Sequence, residues 1–398
     1  MPEHSRTVRD VAALRVARVG RVEKSGDPLR PFRLVDADGT EVAAVSEFLH
    51  HMLADDASPA SLRSYAYELL AWVRFLRAVE VPWYLASRVE ARDLALWLKT
   101  TKKPPRQRRP DAPAPGSVNP ITGKAAPGET YAARTRRHAR AVIRSFYEYH
   151  RETHGRPLIN PFPQGGAAEE GSPNAHHNPM QPFRRPSRRG MYQPKEPKPT
   201  PRIIPDQSFN DLFAALKCNR DRALIAFYIS TGARASELLG VKQGLVAPED
   251  QTIGVVRKGS QTLQHLPASA DAFVWLRLYQ QKLHSVVSKL PSEPLWWTLR
   301  RPFRPLEYDA ARMVFTRANQ LLGANWTLHD LRHSAAKRMV RDPNLTLADV
   351  QWVLGHAHIT TTEIYINPRE LHQVGEKPQV ARPQQRPGAL RWSYGLAV

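Results

Sequence analysis

Between Thr327 and Pro368 the sequence gathers side chains that could act on an anionic oxygen: His329, Arg332, His356 and Tyr365. His329 and Arg332 stand three apart, so on a helix they share a neighbouring face. Gly355 sits where a helix C-cap glycine belongs and sets His356 at a sharp exit. Tyr365 follows nine residues later. A guanidinium fork donates to two oxygens at once and suits phosphate. A phenol is a weak nucleophile at its ordinary pKa of about 10. It becomes useful where a base is near and the product charge is stabilised. The set therefore suggests attack of a tyrosine on a phosphodiester. Each residue alone has an ordinary structural reading, and a short motif such as LGH proves little by itself. The joint order and spacing carry the inference.

The elements that must hold these groups are legible nearby. Leu328, Leu331, Ala335 and Met339 recur at helical spacing and would face a core. Thr346 with Asp349 is a capping-box start for the next helix. Upstream, an apolar helix over 221–230 is broken by Thr231-Gly232, and Arg234 enters the following helix with Glu237 as a structural partner. Residues 252–256 and 262–266 read as two strands joined through Arg257-Lys258-Gly259-Ser260. Trp296 and Trp297 are expected in the core.

These stretches resemble the tyrosine recombinases, the phage integrase family. The family's T-G-x-R-x-S-E-L stands here as Thr231 to Leu238, its H-x-x-R as His329 to Arg332, and its L-G-H with a tyrosine nine residues on as Leu354, Gly355, His356 and Tyr365. The resemblance implies a mainly α fold with a small β-sheet (α+β). It implies a two-domain, C-shaped DNA clamp: a helical, SAM-like core-binding domain and a catalytic domain. It further implies a site-specific recombinase or integrase that cuts and rejoins DNA through a 3′-phosphotyrosyl intermediate, with no cofactor, metal or ATP. Tyr365 is then the nucleophile, with Arg234, Arg332 and His356 on the phosphate. His329 helps take the phenol proton, and Lys258 protonates the leaving 5′ oxygen. The hairpin departs from the family, which often carries further Lys and Arg where this chain has Gln261 and Gln264. The implied partners are double-stranded recombination sites and a homotetramer on two duplexes, monomeric in free solution, with a possible accessory DNA-bending protein.

Composition agrees with a polyanion partner. The 398 residues carry 58 Lys and Arg against 37 Asp and Glu, a formal charge of +21. The single cysteine, Cys218, excludes a disulfide framework or a cysteine zinc cluster. The polar opening residues are not those of a signal peptide, and no apolar run reaches membrane length, so the expected location is the cytoplasm, at the nucleoid. In chain order the expectation is an N-terminal extension over 1–45 and a helical DNA-binding domain over 46–163. A basic, proline-rich linker over 164–202, a catalytic domain over 203–370 and a tail over 371–398 follow. Residues 101–128 read as a mobile loop. Candidate DNA contacts are Lys102 and Lys103 there, Arg134, Arg137 and Arg140 on a helix over 130–152, and Arg184, Arg185, Arg188 and Arg189 in the linker. Three other classes stay open. One is a zinc hydrolase built on His329 and His333, with ligands from His356 and His358. The others are a type IB topoisomerase-like nicking-closing enzyme and a catalytically silent DNA-binding protein.

Overall fold

The computed structural model describes residues 9–104, 112–163, 191–195, 201–283, 286–288 and 290–365. It is mainly helical with two small sheets. By internal contacts the chain divides into two compact units, one of residues 1–117 with 125–197 and one of residues 118–124 with 198–398. The linker arginines Arg184, Arg185, Arg188 and Arg189 and the tail over 371–398 lie outside the described residues.

The first unit opens with an antiparallel hairpin of β1 (Arg21–Lys24) and β2 (Phe32–Val35), registered Arg21 to Val35. Among the described residues four α-helices follow: α1 (Ala43–Ala54), α2 (Pro59–Ala78), α3 (Arg88–Thr100) and α4 (Ala133–His154). Helix α2 starts where Ser58 accepts the Ser61 amide and Pro59 occupies the first turn. Glu90 closes a capping box at Ser87 that starts α3. Phe48, Leu69, Trp72, Phe75, Val142, Phe146 and Tyr147 form one buried core with Leu34 of β2. The segment expected as an extension is thus part of this core. Arg74 on α2 donates to the carbonyls of Val19 and Gly20, which fastens the hairpin to the helices.

The second unit contains α5 (Asp206–Ala214), α6 (Asn219–Thr231) and the short α7 (Ala235–Leu239). A three-stranded antiparallel sheet, β3 (Val246–Ala247), β4 (Thr252–Val256) and β5 (Leu263–Pro267), comes next, with β4 central. Helices α8 (Ala270–Lys282), α9 (Tyr308–Leu321), α10 (Leu328–Arg341) and α11 (Leu347–Leu354) complete it, before 3₁₀ turns at Ile359–Thr361 and Glu363–Tyr365. Helix α6 is buried nearly all round, as a central core helix must be. Trp296 is fully buried and its indole donates to the Leu238 carbonyl, while Trp297 packs at the core's edge. Residues 118–124, inside the stretch expected as a mobile loop, belong to this unit. Asn119 donates to the Gly323 carbonyl at 2.8 Å, and Thr122 hydrogen-bonds Asn325.

Candidate active site

The second unit brings three helix ends together. Helix α6 stops at Gly232, whose φ of +61° no β-carbon residue adopts without strain. A Cβ there would lie 2.9 Å from Leu354 Cδ2, so the glycine also permits the close approach of α11. Helix α11 stops at Gly355, φ +62°, under the Arg257 guanidinium. Helix α10 begins at a capping box between Thr327 and Asp330, and Arg202 holds Asp330 Oδ2 at 2.6 Å.

Arg332 sits on α10 and is 5 % exposed. Its Nη1 donates to the Gly232 carbonyl at 2.6 Å and its Nη2 to the Leu354 carbonyl at 2.7 Å. Nη2 also donates to Nε2 of His356 at 3.0 Å. The His356 ring proton is therefore on Nδ1, which donates to the Thr362 hydroxyl at 2.9 Å. Burial lowers the Arg332 guanidinium to about 10, and the charge of Arg234 adds to the effect. Burial and then the charges of Arg332, Arg234 and Arg257 lower His356 to about 4, so the imidazole is neutral near pH 7.

Arg234 begins α7. Its Nη1 donates to Glu237 Oε1 at 2.7 Å and its amide to Glu237 Oε2 at 2.9 Å. Glu237 is 3 % exposed and also receives Arg257 Nη1 and the Lys258 amide. Burial works to raise this carboxyl, but the hydrogen bonds from Arg234 and Lys258 and the charge of Arg257 hold it below its ordinary value. Arg257 was not singled out in the sequence. It is buried, accepted by Gln264 Oε1 at 2.6 Å and by the Val353 carbonyl, and so ties the β4–β5 turn to the end of α11. The Lys258 side chain is exposed on that turn.

Tyr365 lies in the last 3₁₀ turn and is 5 % exposed, its carbonyl held by Lys337 Nζ at 3.0 Å. Its hydroxyl is 2.6 Å from Nδ1 of His333. Burial pushes the phenol up, against the opposing charge of Arg332. The expectation for His329 changes here. The imidazole on the phenol is His333, one turn further along α10, and His329 instead packs edge-on against the His333 ring with centroids 4.2 Å apart. Burial, with the neighbouring His329, lowers His333 to about 4. The sequence signal for His333 is its i, i+4 spacing from His329, a spacing that also suits a zinc pair. Among the described residues, the only grouping of three with metal-ligand spacing is Glu47, His150 and His154 in the first unit, and it includes none of His329, His333, His356 or His358.

Several candidate DNA contacts are already engaged. Lys102 pairs with Glu129 at 2.7 Å and Lys103 Nζ donates to the Gly128 carbonyl at 3.0 Å, so both lysines clasp the base of their loop. Arg140 is a correction: at 8 % exposed, with its guanidinium on the Pro163 carbonyl, it is packed into the first unit instead of facing solvent. Burial lowers its pKa. Arg134 and Arg137 are exposed on α4.

The fold agrees with one protein class. Aligned with the chain, a lambda integrase dimer bound to a COC′ core site gives a TM-score of 0.53 at 15% identity, covering 85% of this chain and 80% of that one. The Tn1549 transposon integrase in complex with circular intermediate DNA gives 0.54 at 13% identity, covering 84% and 99%. These likenesses give the fold, that of the tyrosine recombinases. Residues 203–372 match the family model described as the phage integrase family. The tyrosine recombinase XerD of Neisseria meningitidis serogroup B is 29% identical over 177 residues, 43% of this chain and 60% of the relative. XerD of Brucella abortus is 31% identical over 208 residues, covering 46% and 65%. The chain thus spans less than two thirds of the length of the curated relatives it matches.

Proposed function

We propose that this protein is a site-specific DNA recombinase that cuts and rejoins DNA through Tyr365. The observation that supports it best is the single helix α10, which carries both Arg332, fastened between two helix ends, and His333, on the Tyr365 hydroxyl. In this reading Tyr365 attacks the scissile phosphate, forms a 3′-phosphotyrosyl ester and releases a 5′ hydroxyl. His333 accepts the phenol proton through Nδ1, with His329 packed against its ring. Arg234 and Arg332 bind the non-bridging oxygens. Fixed donors of this kind contribute about 3–4 kcal/mol each. Phosphate charge beside His356 raises its pKa and lets it donate as well. Lys258 protonates the leaving oxygen. The ester conserves the bond energy, so a second 5′ hydroxyl reverses the step and exchanges strands. Exchange between two duplexes calls for four protomers, and an accessory DNA-bending protein fits the same scheme. Arg134 and Arg137 would contact the duplex backbone. The work would be done on chromosomal or plasmid DNA in the cytoplasm.

The test uses nicked suicide duplexes carrying candidate sites, incubated with chelator and resolved on denaturing gels. The native protein is expected to form a covalent adduct that Tyr365→Phe loses while keeping DNA affinity. Tight binding with no adduct on any duplex would instead favour a silent DNA-binding protein. Relaxation of supercoiled DNA lacking a recombination site would favour a topoisomerase-like activity.

A further inference from the structure

Helices α1 and α4 of the first unit bring together three groups that the proposed DNA chemistry does not use. His150 and His154 are one turn apart on α4, and Glu47 is one turn beyond Ala44 on α1. Both imidazoles reach α1 through Nε2. His150 Nε2 lies 3.1 Å from the Ala44 carbonyl, and His154 Nε2 lies 2.6 Å from Glu47 Oε1. One donor atom from each of Glu47, His150 and His154 lies within 4.8 Å of the others. The two rings are nearly parallel, at 24° with centroids 5.5 Å apart. Tyr149 donates to the same Glu47 oxygen at 3.1 Å. An ordinary ion pair would account for Glu47 and His154. His150, 2 % exposed, caps the Ala44 carbonyl and packs against Trp83 and Phe146, yet its Nε2 faces the same turn of α1 as the Glu47 carboxylate.

We infer that Glu47, His150 and His154 form a binding site for a divalent cation of the zinc class, with water completing the shell. Two histidines at i and i+4 present nitrogens from one helix face, and a carboxylate from the neighbouring helix supplies the third donor. Zinc bonds nitrogen and carboxylate oxygen at about 2.0–2.2 Å, so tetrahedral donors stand roughly 3.3–3.5 Å apart. Side-chain rotation of Glu47 and His154, both at the surface, opens their hydrogen bond to that spacing. Both rings then carry their proton on Nδ1, and His150 exchanges the Ala44 carbonyl for the metal. Tyr149 remains on Glu47 and orients it, as outer partners of metal-bound carboxylates do. The bound ion would staple α1 to α4.

The test uses the full-length protein, freed of any affinity tag and stripped with chelator. Zn²⁺ is titrated by calorimetry, and Co²⁺ is followed by its visible absorption. Native protein is expected to take up a single tight equivalent and to melt several degrees higher with Zn²⁺. Glu47→Gln and His154→Gln alter surface side chains, so circular dichroism should show them folded. Each should lose about tenfold or more in affinity, together with the thermal gain. Variants that bind as the native protein does, or native protein whose melting is unchanged by Zn²⁺, would overturn the site. All readouts are taken without DNA, so this result and the adduct assay stand or fall separately.

Discussion

At the scale of single residues, the proposal turns on which imidazole serves the phenol. With Nδ1 2.6 Å from the Tyr365 hydroxyl, His333 is within proton-transfer distance, and His329 packs edge-on against the His333 ring. General bases contribute roughly 10²–10⁴-fold in rate. His333→Gln should slow adduct formation on suicide duplexes by that order, with His329→Gln slowing it less; equal effects would return the role to His329. The two depressed histidines also couple stability to pH. His333 and His356 titrate near 4 when folded and near the ordinary 6.5 when unfolded. The unfolded chain therefore binds more protons between those values. Their contribution is fully present above about pH 6.5 and is lost as pH falls toward 4. Thermal melts should show a midpoint that drops across this window, and a His333→Gln, His356→Gln double variant should flatten the drop.

The elements that hold these residues depend on two glycines. Gly232→Ala and Gly355→Ala each force a left-handed backbone on a β-carbon, at about 1–2 kcal/mol. Gly232→Ala adds a clash with Leu354. Gly355→Ala sets a methyl 3.0 Å from Arg257 Cζ and disturbs the guanidinium that supports Glu237. Urea denaturation should show both variants destabilised, and Gly355→Ala should also slow adduct formation. Much of this scaffold was legible in the sequence, because caps and apolar periods are local. Thr346 with Asp349 and the glycine ends of α6 and α11 lie within a few residues of what they organise. Arg257 was not legible. It lies 20 residues from Glu237 and 96 from Val353 in sequence, and only the packed sheet brings them together.

For the whole molecule, the charge of +21 sets the terms of any encounter with DNA. Affinity for random duplex should fall about 10³–10⁵-fold between 50 and 200 mM salt, as measured by fluorescence anisotropy, if some six to ten phosphates are contacted. A shallow slope would mean that the basic residues are mostly internal partners, as Arg140 and Arg257 are. Arg140 shows why composition misjudges this: an arginine on a helix face is exposed or packed according to what the rest of the unit lays over it, here the Pro163 carbonyl. The hairpin β1–β2 likewise gains its place in the core only against the helices laid over it, Leu34 packing with Phe48 and Leu69.

Two of the three partners of Arg332 are main-chain carbonyls, at the last turns of α6 and α11. The guanidinium thus rests between the partially negative ends of two helices. Such a mount has no side chain that a compensating substitution could restore. The mount itself depends on the length of both helices rather than on any one side chain. Each residue added or removed turns a helix end by about 100° and swings its carbonyl away from the arginine. Along α6 and α11, single-residue insertions and deletions should therefore be lethal to activity even where an exposed position accepts substitution.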